Sequence, residues 1–268
     1  MNAEIDYHTA VAMLLWQHDL GATEAMGDTP VDRYALAGSP PMAPQNAGIA
    51  RQAAPAIAPA FAPAPDVDPV ARARDAAACA GNLADLRATL AAFDLCELKR
   101  GARTTVFADG NPQARVMVIG DAPGREEDSE GRPFIGIAGQ LLDRMFAAIG
   151  LGRDSPDPKL ALYLTHVMPW RPPQDRDASP AEIDLMRPFL QRHVMLAAPD
   201  LIVAMGNTAC AALLGARGIT RLRGEWATGF GLPVLPMVPP AHLLRHPSTK
   251  REAWADLLSL QARLRTSP

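Results

Sequence analysis

Short apolar runs alternate with helix-forming stretches between residues 114 and 264, and this alternation limits the folds that the chain can adopt. Four runs have the length and composition of buried strands: ARVMVIG (114–120), ALYLTHV (161–167), LIVAMG (201–206) and VLPMV (234–238). Strands that alternate with helices indicate a mostly parallel sheet with helices packed on both faces. We therefore predict an α/β fold with three αβα layers.

The stretches between these runs carry helix signals of their own. Ser179 and Glu182 form a capping box, and Pro180 occupies the first helical position. We also predict Asn207 as the cap of the helix TACAALLG, and TKREAWADLLSLQARL as the closing helix. The helix predicted over GIAGQLLDRMFAAIG carries these apolar residues on one face: Leu141, Leu142, Met145, Phe146 and Ile149.

Composition divides the chain into three parts. Residues 1–37 include an apolar stretch at 5–20 that predicts a short helix. Residues 38–75 are rich in Ala and Pro, and because proline removes backbone donors and opposes helix, we predict an extended, mobile linker there. The globular domain is expected over residues 76–268, and a chain with 48% hydrophobic residues can build a packed core.

Several classes of protein are disfavoured by the sequence. Cys79, Cys96 and Cys210 form no CxxC pair and no metal-ligand spacing, which argues against a disulfide framework or a zinc site. The N-terminus MNAEIDYHTA lacks the basic and apolar regions of a secretory signal, and no apolar run approaches the roughly 18 residues of a membrane helix. We expect a cytoplasmic, monomeric protein that does not bind membranes.

Charge is distributed unevenly along the chain. Residues 1–70 hold eight acidic residues and two arginines, whereas from Arg217 onward seven arginines and one lysine stand against three acidic residues. A basic C-terminal segment in a chain of net charge −3 hints at a polyanionic partner. Taken alone, such a segment is more often a solvated surface.

Four polar or proline-rich segments follow the predicted strands, at the edge where parallel sheets bind their ligands. They are GDAPGREEDSEGRPF, THVMPWRPP, GNTA and VPPAHLLRHP. The last would ordinarily be interpreted as a surface turn. Its position at the ligand edge makes it a candidate functional segment instead.

The segment GDAPG lacks both GxGxxG and GxxxxGK[ST], so it gives little support to a dinucleotide or P-loop site. Gly120 and Gly124 allow a tight backbone, Asp121 can direct a carboxylate into the crevice, and Phe134 follows among glycines that let a flat ring approach. A carboxylate beside an aromatic face suits an extruded nucleobase. The alternative, a solvated acidic loop with Phe134 in the core, remains open from these residues alone.

The stretch GDAPGREEDSEGRPFIGIAGQLLDRM resembles the GEAPG-x-x-ED-x-x-G-x-PF-x-G-x-AG-x-LL motif of family 4 uracil-DNA glycosylases. The resemblance continues through RPPQDRDASPAEI, PDLIVAMG, GITRLRGEW and AHLLRHPSTKREAWADL, and covers residues 94–262. The linker and VFADGNPQARVMVIG are similar to the alphaproteobacterial branch of that family. The resemblance implies an αβα glycosylase fold and DNA with a damaged or deaminated base as the partner.

Several functional positions of the family carry a different residue in this chain. Asp121 takes the place of the motif's glutamate, whereas Glu127, Asp128 and the base-stacking Phe134 match the family pattern. His166 stands where the family has the asparagine that binds the amide edge of uracil. An imidazole offers one donor and one acceptor and does not reproduce the planar amide. The resemblance implies a catalytic role for Asp121. It implies base-binding roles for the other four: Glu127, Asp128, Phe134 and His166.

The second family motif, H-P-x-Y-L-L-R, reads PPAHLLR in this chain. Pro239 occupies the position of the histidine that stabilises the leaving base, and His242 occupies that of the tyrosine. We therefore expect His242 to be the second candidate catalytic residue. The loop resembles one that enters the minor groove of DNA and fills the gap left by the extruded base. The residues expected to contact DNA are Leu243, Leu244, Arg245, Lys250 and Arg251.

The family's iron–sulfur cluster is expected to be absent. Of its four cysteine positions only Cys96 matches, and the others are Phe93, Trp170 and Met186. The usual cluster needs four thiolates, so we predict neither this cofactor nor another metal.

Three hypotheses of function follow from the sequence. The first is a DNA glycosylase that hydrolyses the N-glycosidic bond of uracil or another damaged base. The second is a DNA-binding protein that kept this fold and has lost or strongly reduced glycosylase activity. The third is a nucleotide-binding enzyme unrelated to DNA. A glycosylase assay on oligonucleotides separates them.

Overall fold

The computed structural model describes residues 68–266. Its strands are β1 (Ala108–Gly110), β2 (Val116–Gly120), β3 (Leu162–His166), β4 (Leu201–Met205), β5 (Ala227–Gly229) and β6 (Leu232–Met237). Its α-helices are α1 (Pro69–Cys79), α2 (Leu83–Ala92), α3 (Arg125–Glu130), α4 (Gly136–Ala147), α5 (Pro180–Ala197), α6 (Asn207–Leu214), α7 (Ile219–Leu222), α8 (Pro240–Arg245) and α9 (Lys250–Thr266). None of the helices between residues 68 and 266 is long and apolar enough to cross a membrane.

The six strands form one sheet in the order β1-β3-β2-β4-β6-β5. The four inner strands are parallel, and they are the four strands predicted from the sequence. Strands β1 and β5 pair antiparallel at the two edges and were not predicted. Each edge strand has three residues and is only partly buried, so neither contains an apolar run that would mark it.

Alternate side chains of the inner strands enter two separate hydrophobic cores, one on each face of the sheet. In β2, Met117 and Ile119 pack with apolar residues of α1, α2, α5 and α6. Val116 and Val118 point to the other face and pack with residues of α4 and α9. Strands buried on both faces are typical of parallel sheets covered by helices. The predicted α/β fold with three αβα layers is confirmed.

The linker predicted over residues 38–75 ends earlier than expected, because Pro69 is the first residue of α1. The Asp68 side chain accepts a hydrogen bond from the Val70 N–H at 3.0 Å and caps the helix. Ala73 and Ala77 are buried and let α1 lie close against α5. Ala73, which lies within the predicted linker, is therefore a helix-forming contact residue here. The predicted N-terminal helix and the rest of the linker lie outside the described residues.

One predicted helix cap is confirmed and the other is wrong. At the start of α5, Ser179 Oγ accepts from the Glu182 N–H and a Glu182 carboxylate oxygen accepts from the Ser179 N–H, as the capping box requires. At α6 the capping position is Gly206, and Asn207 is already helical. Asn207 Oδ1 instead accepts from the N–H groups of Gly218 and Ile219, at 3.1 and 2.9 Å.

Candidate functional site

The carboxyl ends of β2, β3 and β4 lie side by side and define the candidate site. Gly120, the last residue of β2, pairs with His166 on one side and with Met205 on the other. The chain leaves β2 toward β3 and later returns to β4 on the opposite side, so the strand order reverses at β2. Open α/β sheets bind their ligands in the crevice at such a reversal.

Asp121 follows β2 directly, and its carboxylate is held by the N-terminus of α6. Its Oδ1 accepts a hydrogen bond from the Ala209 N–H at 2.8 Å. Gly206 lies at φ 116°, and a Cβ on that residue would stand 2.1 Å from Asp121 Oδ2. Only a glycine therefore leaves room for the carboxylate. Apart from the position of GNTA after the third predicted strand, no sequence motif indicates this cradle.

Burial raises the pKa of Asp121 to about 6. Backbone hydrogen bonds from Ala209 and Thr208 and the nearby His166 favour the carboxylate and oppose this rise, but only in part. The group therefore exchanges its proton close to neutral pH. A carboxyl with this pKa can both hold and release a proton during a reaction in water.

Glu127 joins three parts of the site through its carboxylate. One oxygen accepts from the Gly124 N–H at 2.5 Å, and the other accepts from the Phe134 N–H and lies 3.1 Å from His166 Nε2. Burial, the largest effect, raises the pKa of Glu127, but His166 and these hydrogen bonds together hold it below its ordinary value. Glu127 is thus an ionised link between the β2–α3 turn, Phe134 and His166.

Phe134 and His166 form the aromatic wall of the site. The two rings are 4.6 Å apart between centroids and are tilted by 34°. Phe134 has φ 52°, a left-handed conformation that costs a non-glycine residue about 1 kcal/mol or more. The Glu127 carboxylate and the guanidinium of Arg153 hold it there by binding its N–H and its carbonyl oxygen.

Arg153 is a structural residue of the site that the sequence did not reveal. Its side chain is 7% exposed and pairs with Asp109 and Asp143. It also donates to the carbonyl oxygens of Pro133 and Phe134, at 3.2 and 2.7 Å. These partners lie 10 to 44 positions away along the chain, so no local motif marks them.

Asp128, which the family pattern places among the base-binding residues, is buried and binds the segment before β1. Its Oδ1 accepts from the N–H groups of Arg103 and Thr104, at 2.9 and 3.3 Å. The Thr104 hydroxyl in turn donates to the Asp128 carbonyl oxygen at 2.6 Å. Asp128 therefore fastens the segment before β1, and its base-binding role stays a prediction.

Helix α8 begins just after Pro239, where the chain leaves β6, and presents the residues expected to contact DNA. Leu243 is 1% exposed and anchors the helix, whereas Leu244 is 41% exposed. The predicted two-leucine wedge is therefore reduced to one projecting leucine. Three basic residues follow Leu244 in the sequence, and all of them have exposed side chains: Arg245, Lys250 and Arg251.

His242 packs against His246, with ring centroids 4.5 Å apart. Desolvation lowers the pKa of His242, and the neighbouring His246 and Arg245 lower it further. The ring is therefore neutral at pH 7. His246 is an exposed residue that directly follows α8.

Residues 107–258 match the model of the uracil DNA glycosylase superfamily. The chain belongs to this superfamily. It is 33% identical over 172 residues to a type-4 uracil-DNA glycosylase of Archaeoglobus fulgidus, which covers 60% of this chain and 82% of the relative. A type-4 enzyme of Thermotoga maritima is 34% identical over 160 residues, or 58% and 79% of the two chains. The resemblance stated from the sequence motifs is confirmed.

The four cluster positions of this superfamily member do not fit an iron–sulfur cluster. Cys96, Phe93, Trp170 and Met186 are all buried in one hydrophobic core, so they supply one thiol and three apolar side chains. Burial raises the pKa of the Cys96 thiol and keeps it protonated. Among residues 68–266, no three His, Cys, Asp or Glu side chains are grouped to hold a metal ion.

The purified protein is expected to be colourless. A four-cysteine cluster would give broad absorption near about 400 nm and about four iron atoms per chain, and one thiol cannot bind it. Elemental analysis after anaerobic purification measures the iron directly, with Cys96→Ala as a control that should leave the metal content unchanged. Stoichiometric iron that disappears in Cys96→Ala would contradict the prediction.

Proposed function

We propose that this protein is a DNA glycosylase that removes uracil or another damaged base from DNA. One observation carries the proposal: the α6-bound carboxylate of Asp121 and the Phe134 ring flank Gly120 at one crevice of the sheet. This arrangement suits a base that stacks on Phe134 while its sugar faces the carboxylate. The curated relatives are named uracil-DNA glycosylases, which supports the same conclusion.

In the proposed reaction, the bond between C1′ and the base nitrogen breaks, and a water oxygen bonds to C1′. The Asp121 carboxylate orients this water, accepts its proton and stabilises the positive charge that develops on the sugar. The departing base takes up the proton that Asp121 accepted, by way of solvent. The neutral His242 is our candidate to donate a hydrogen bond to the base, because Pro239 has no side-chain donor.

The proposal includes recognition of DNA by α8 and the residues that follow it. Exposed Arg245, Lys250 and Arg251 would bind phosphates, and Leu244 would fill the space left by the extruded base. It also includes the monomeric state and the cytoplasmic location expected from the sequence. DNA binding without excision is the alternative, and the assay below separates the two.

A glycosylase assay tests the proposed function directly. Single- and double-stranded oligonucleotides carry one uracil, hypoxanthine, xanthine or alkylated base, and alkaline cleavage reports the abasic product. We expect excision of at least one of these bases. Binding of the same oligonucleotides with no abasic product from any of them would leave the DNA-binding alternative in place of the glycosylase.

Two adjacent leucines are expected to behave differently when shortened. Leu244→Ala should weaken duplex binding and excision severalfold with little change in melting temperature, because this side chain is 41% exposed. Leu243→Ala, the matched control, should lower stability by about 2–5 kcal/mol, because it empties a buried site. Thermal melting and fluorescence anisotropy measure the two effects. The proposed wedge is wrong if Leu244→Ala binds and cleaves duplex DNA like the wild type.

A further inference from the structure

An apolar groove of about 230 Å³ lies between α4 and α9, next to helix α8. Its apolar lining comes from all three helices and includes Leu141 and Met145 of α4, Leu243 of α8, and Trp254 and Leu257 of α9. Trp254 is 44% exposed although it borders this apolar surface. A half-exposed indole beside an apolar groove is a surface on which another flat apolar group can pack.

The groove also carries two positive charges that the protein does not neutralise. Arg144 and Lys250 belong to its lining, and both are exposed. The acidic residues of α4 and α9 are all paired with arginines outside the groove: Asp143, Glu252 and Asp256. Within residues 68–266, Arg144 and Lys250 therefore have no acidic partner. An occupant with a flat apolar ring and adjoining negative charges matches this groove, and a nucleotide of a DNA strand has that chemistry.

One face of α4 connects the crevice with the groove. Ile137 lies in the first turn of α4, three residues after Phe134, and is 71% exposed. Residues four positions apart lie on one face of a helix, so Ile137, Leu141 and Met145 form an apolar row. Ile137 and Met145 are eight positions apart, about 12 Å along the helix, which is the rise of roughly three to four stacked nucleotides. A strand whose base enters the crevice can therefore reach the groove with a nearby nucleotide.

On the basis of the DNA glycosylase function proposed above, we propose that the groove between α4 and α9 is a second nucleobase site. It binds an unpaired base of the strand that carries the damaged base. This base stacks on Trp254, and its flanking phosphates bind Arg144 and Lys250. Every base has a flat face, so the site accepts any of the four. The bases of a duplex are already paired and stacked on one another, so the groove favours single-stranded DNA.

An apolar peptide of a protein partner is the competing occupant. The position of the groove favours DNA instead, because the groove is continuous with the surface proposed to contact DNA. Leu243 lines the groove and directly precedes Leu244, the proposed wedge, and Lys250 belongs both to the groove and to the proposed phosphate contacts. A strand held by α8 and the first turn of α9 therefore passes over Trp254.

Fluorescence anisotropy with a labelled oligonucleotide tests the inference. The oligonucleotide carries one 2′-fluorinated deoxyuridine, whose fluorine slows cleavage, and it is used as a single strand and as a duplex. Trp254→Ala should weaken single-strand binding about tenfold or more and change duplex binding by less than about twofold, because only an unpaired base loses its stacking partner. Trp254→Phe keeps an aromatic face and should retain most of the affinity.

Met195→Ala is the matched control for this loss. It shortens a side chain that is 61% exposed on α5, in the opposite helical layer, and should bind both forms of DNA like the wild type. Arg144→Gln should reduce the slope of log affinity against log salt for the single strand by about 0.7, the effect of one lost phosphate contact. Arg265→Gln, at an exposed position in the last turn of α9, should leave that slope unchanged. Thermal melting verifies that each variant folds.

Single abasic substitutions locate the second site along the strand. One nucleotide at a time is replaced by an abasic residue on either side of the fluorinated deoxyuridine. Wild-type binding should fall severalfold at one position within about four nucleotides of it. Trp254→Ala should show no such position, because the stacking contact is already lost.

The inference fails if Trp254→Ala binds the single strand like the wild type, if it weakens single-strand and duplex binding equally, or if no abasic position affects the wild type. Unchanged DNA binding with a loss of self-association in sedimentation would also overturn it and assign the groove to a second copy of the chain. Failure to excise any base, with the Trp254 effect intact, counts against the proposed activity alone. Excision without a Trp254 effect counts against the inference alone, and absence of DNA binding overturns both.

Discussion

Asp121→Asn is expected to lower base excision by about two to three orders of magnitude. Asparagine has nearly the same shape, and its side-chain oxygen can still accept the Ala209 N–H that holds Asp121 at 2.8 Å. What it lacks is the negative charge that orients water and stabilises the sugar cation. Melting temperature and DNA affinity should therefore stay close to those of the wild type, and single-turnover assays measure the loss of chemistry.

The pH profile provides a second measurement on the same group. In the proposed reaction Asp121 acts as a carboxylate, and burial raises its pKa to about 6. Excision should therefore be constant above that pH and fall about tenfold per unit below it, as the carboxylate takes up a proton. Asp184→Asn, at an exposed position of α5, is the matched control and should change neither rate nor profile. Wild-type rates in Asp121→Asn would remove this residue from the mechanism.

Pro239→His is expected to raise uracil excision by about two orders of magnitude or more. Proline offers no side-chain donor to the departing base, and an imidazole at the end of β6 would supply one. The backbone can accept the change, because Pro239 lies at φ −67° and ψ 149°, an extended conformation open to any residue. Its carbonyl oxygen can still accept from the His242 and Leu243 N–H groups at the start of α8.

Pro247→His is the control for this gain of activity. It adds the same side chain at an exposed position after α8, eight residues further along the chain, and should give no comparable gain in excision. Combining Pro239→His with His166→Asn should keep the gain in uracil excision, because an asparagine amide can pair with the N–H and a carbonyl oxygen of uracil. If the double variant folds and binds DNA without any gain, the site differs from its relatives at more than these two positions.

The four inner strands and their order along the chain were predictable, because parallel strands buried on both faces consist of continuous apolar runs. The Ser179–Glu182 capping box was predictable for a similar reason, since both partners lie within one turn of helix. Edge strand β5 and the start of α1 at Pro69 escaped prediction. Their sequences are short or rich in Pro and Ala, and pairing or packing with distant segments decides their structure.

The candidate site shows the same division between local and long-range signals. Family motifs selected Asp121, Phe134 and His166, and the structure places them around the end of β2. The cradle of Asp121 depends on Gly206, which lies 85 positions further along the chain and becomes a neighbour only through the pairing of β2 with β4. Helical phase alone likewise did not separate buried Leu243 from exposed Leu244.

The attachment of Asp121 to the N-terminus of α6 has a consequence for how a protein of this kind can change. Under the proposed function, the carboxylate that faces the sugar is fastened to α6, whereas the base is bound by the separate rings of Phe134 and His166. The reacting group and the base-binding groups are therefore held by different parts of the fold. Substitutions around Phe134 and His166 can therefore change which base is bound during evolution, while Asp121 keeps its position relative to the sugar.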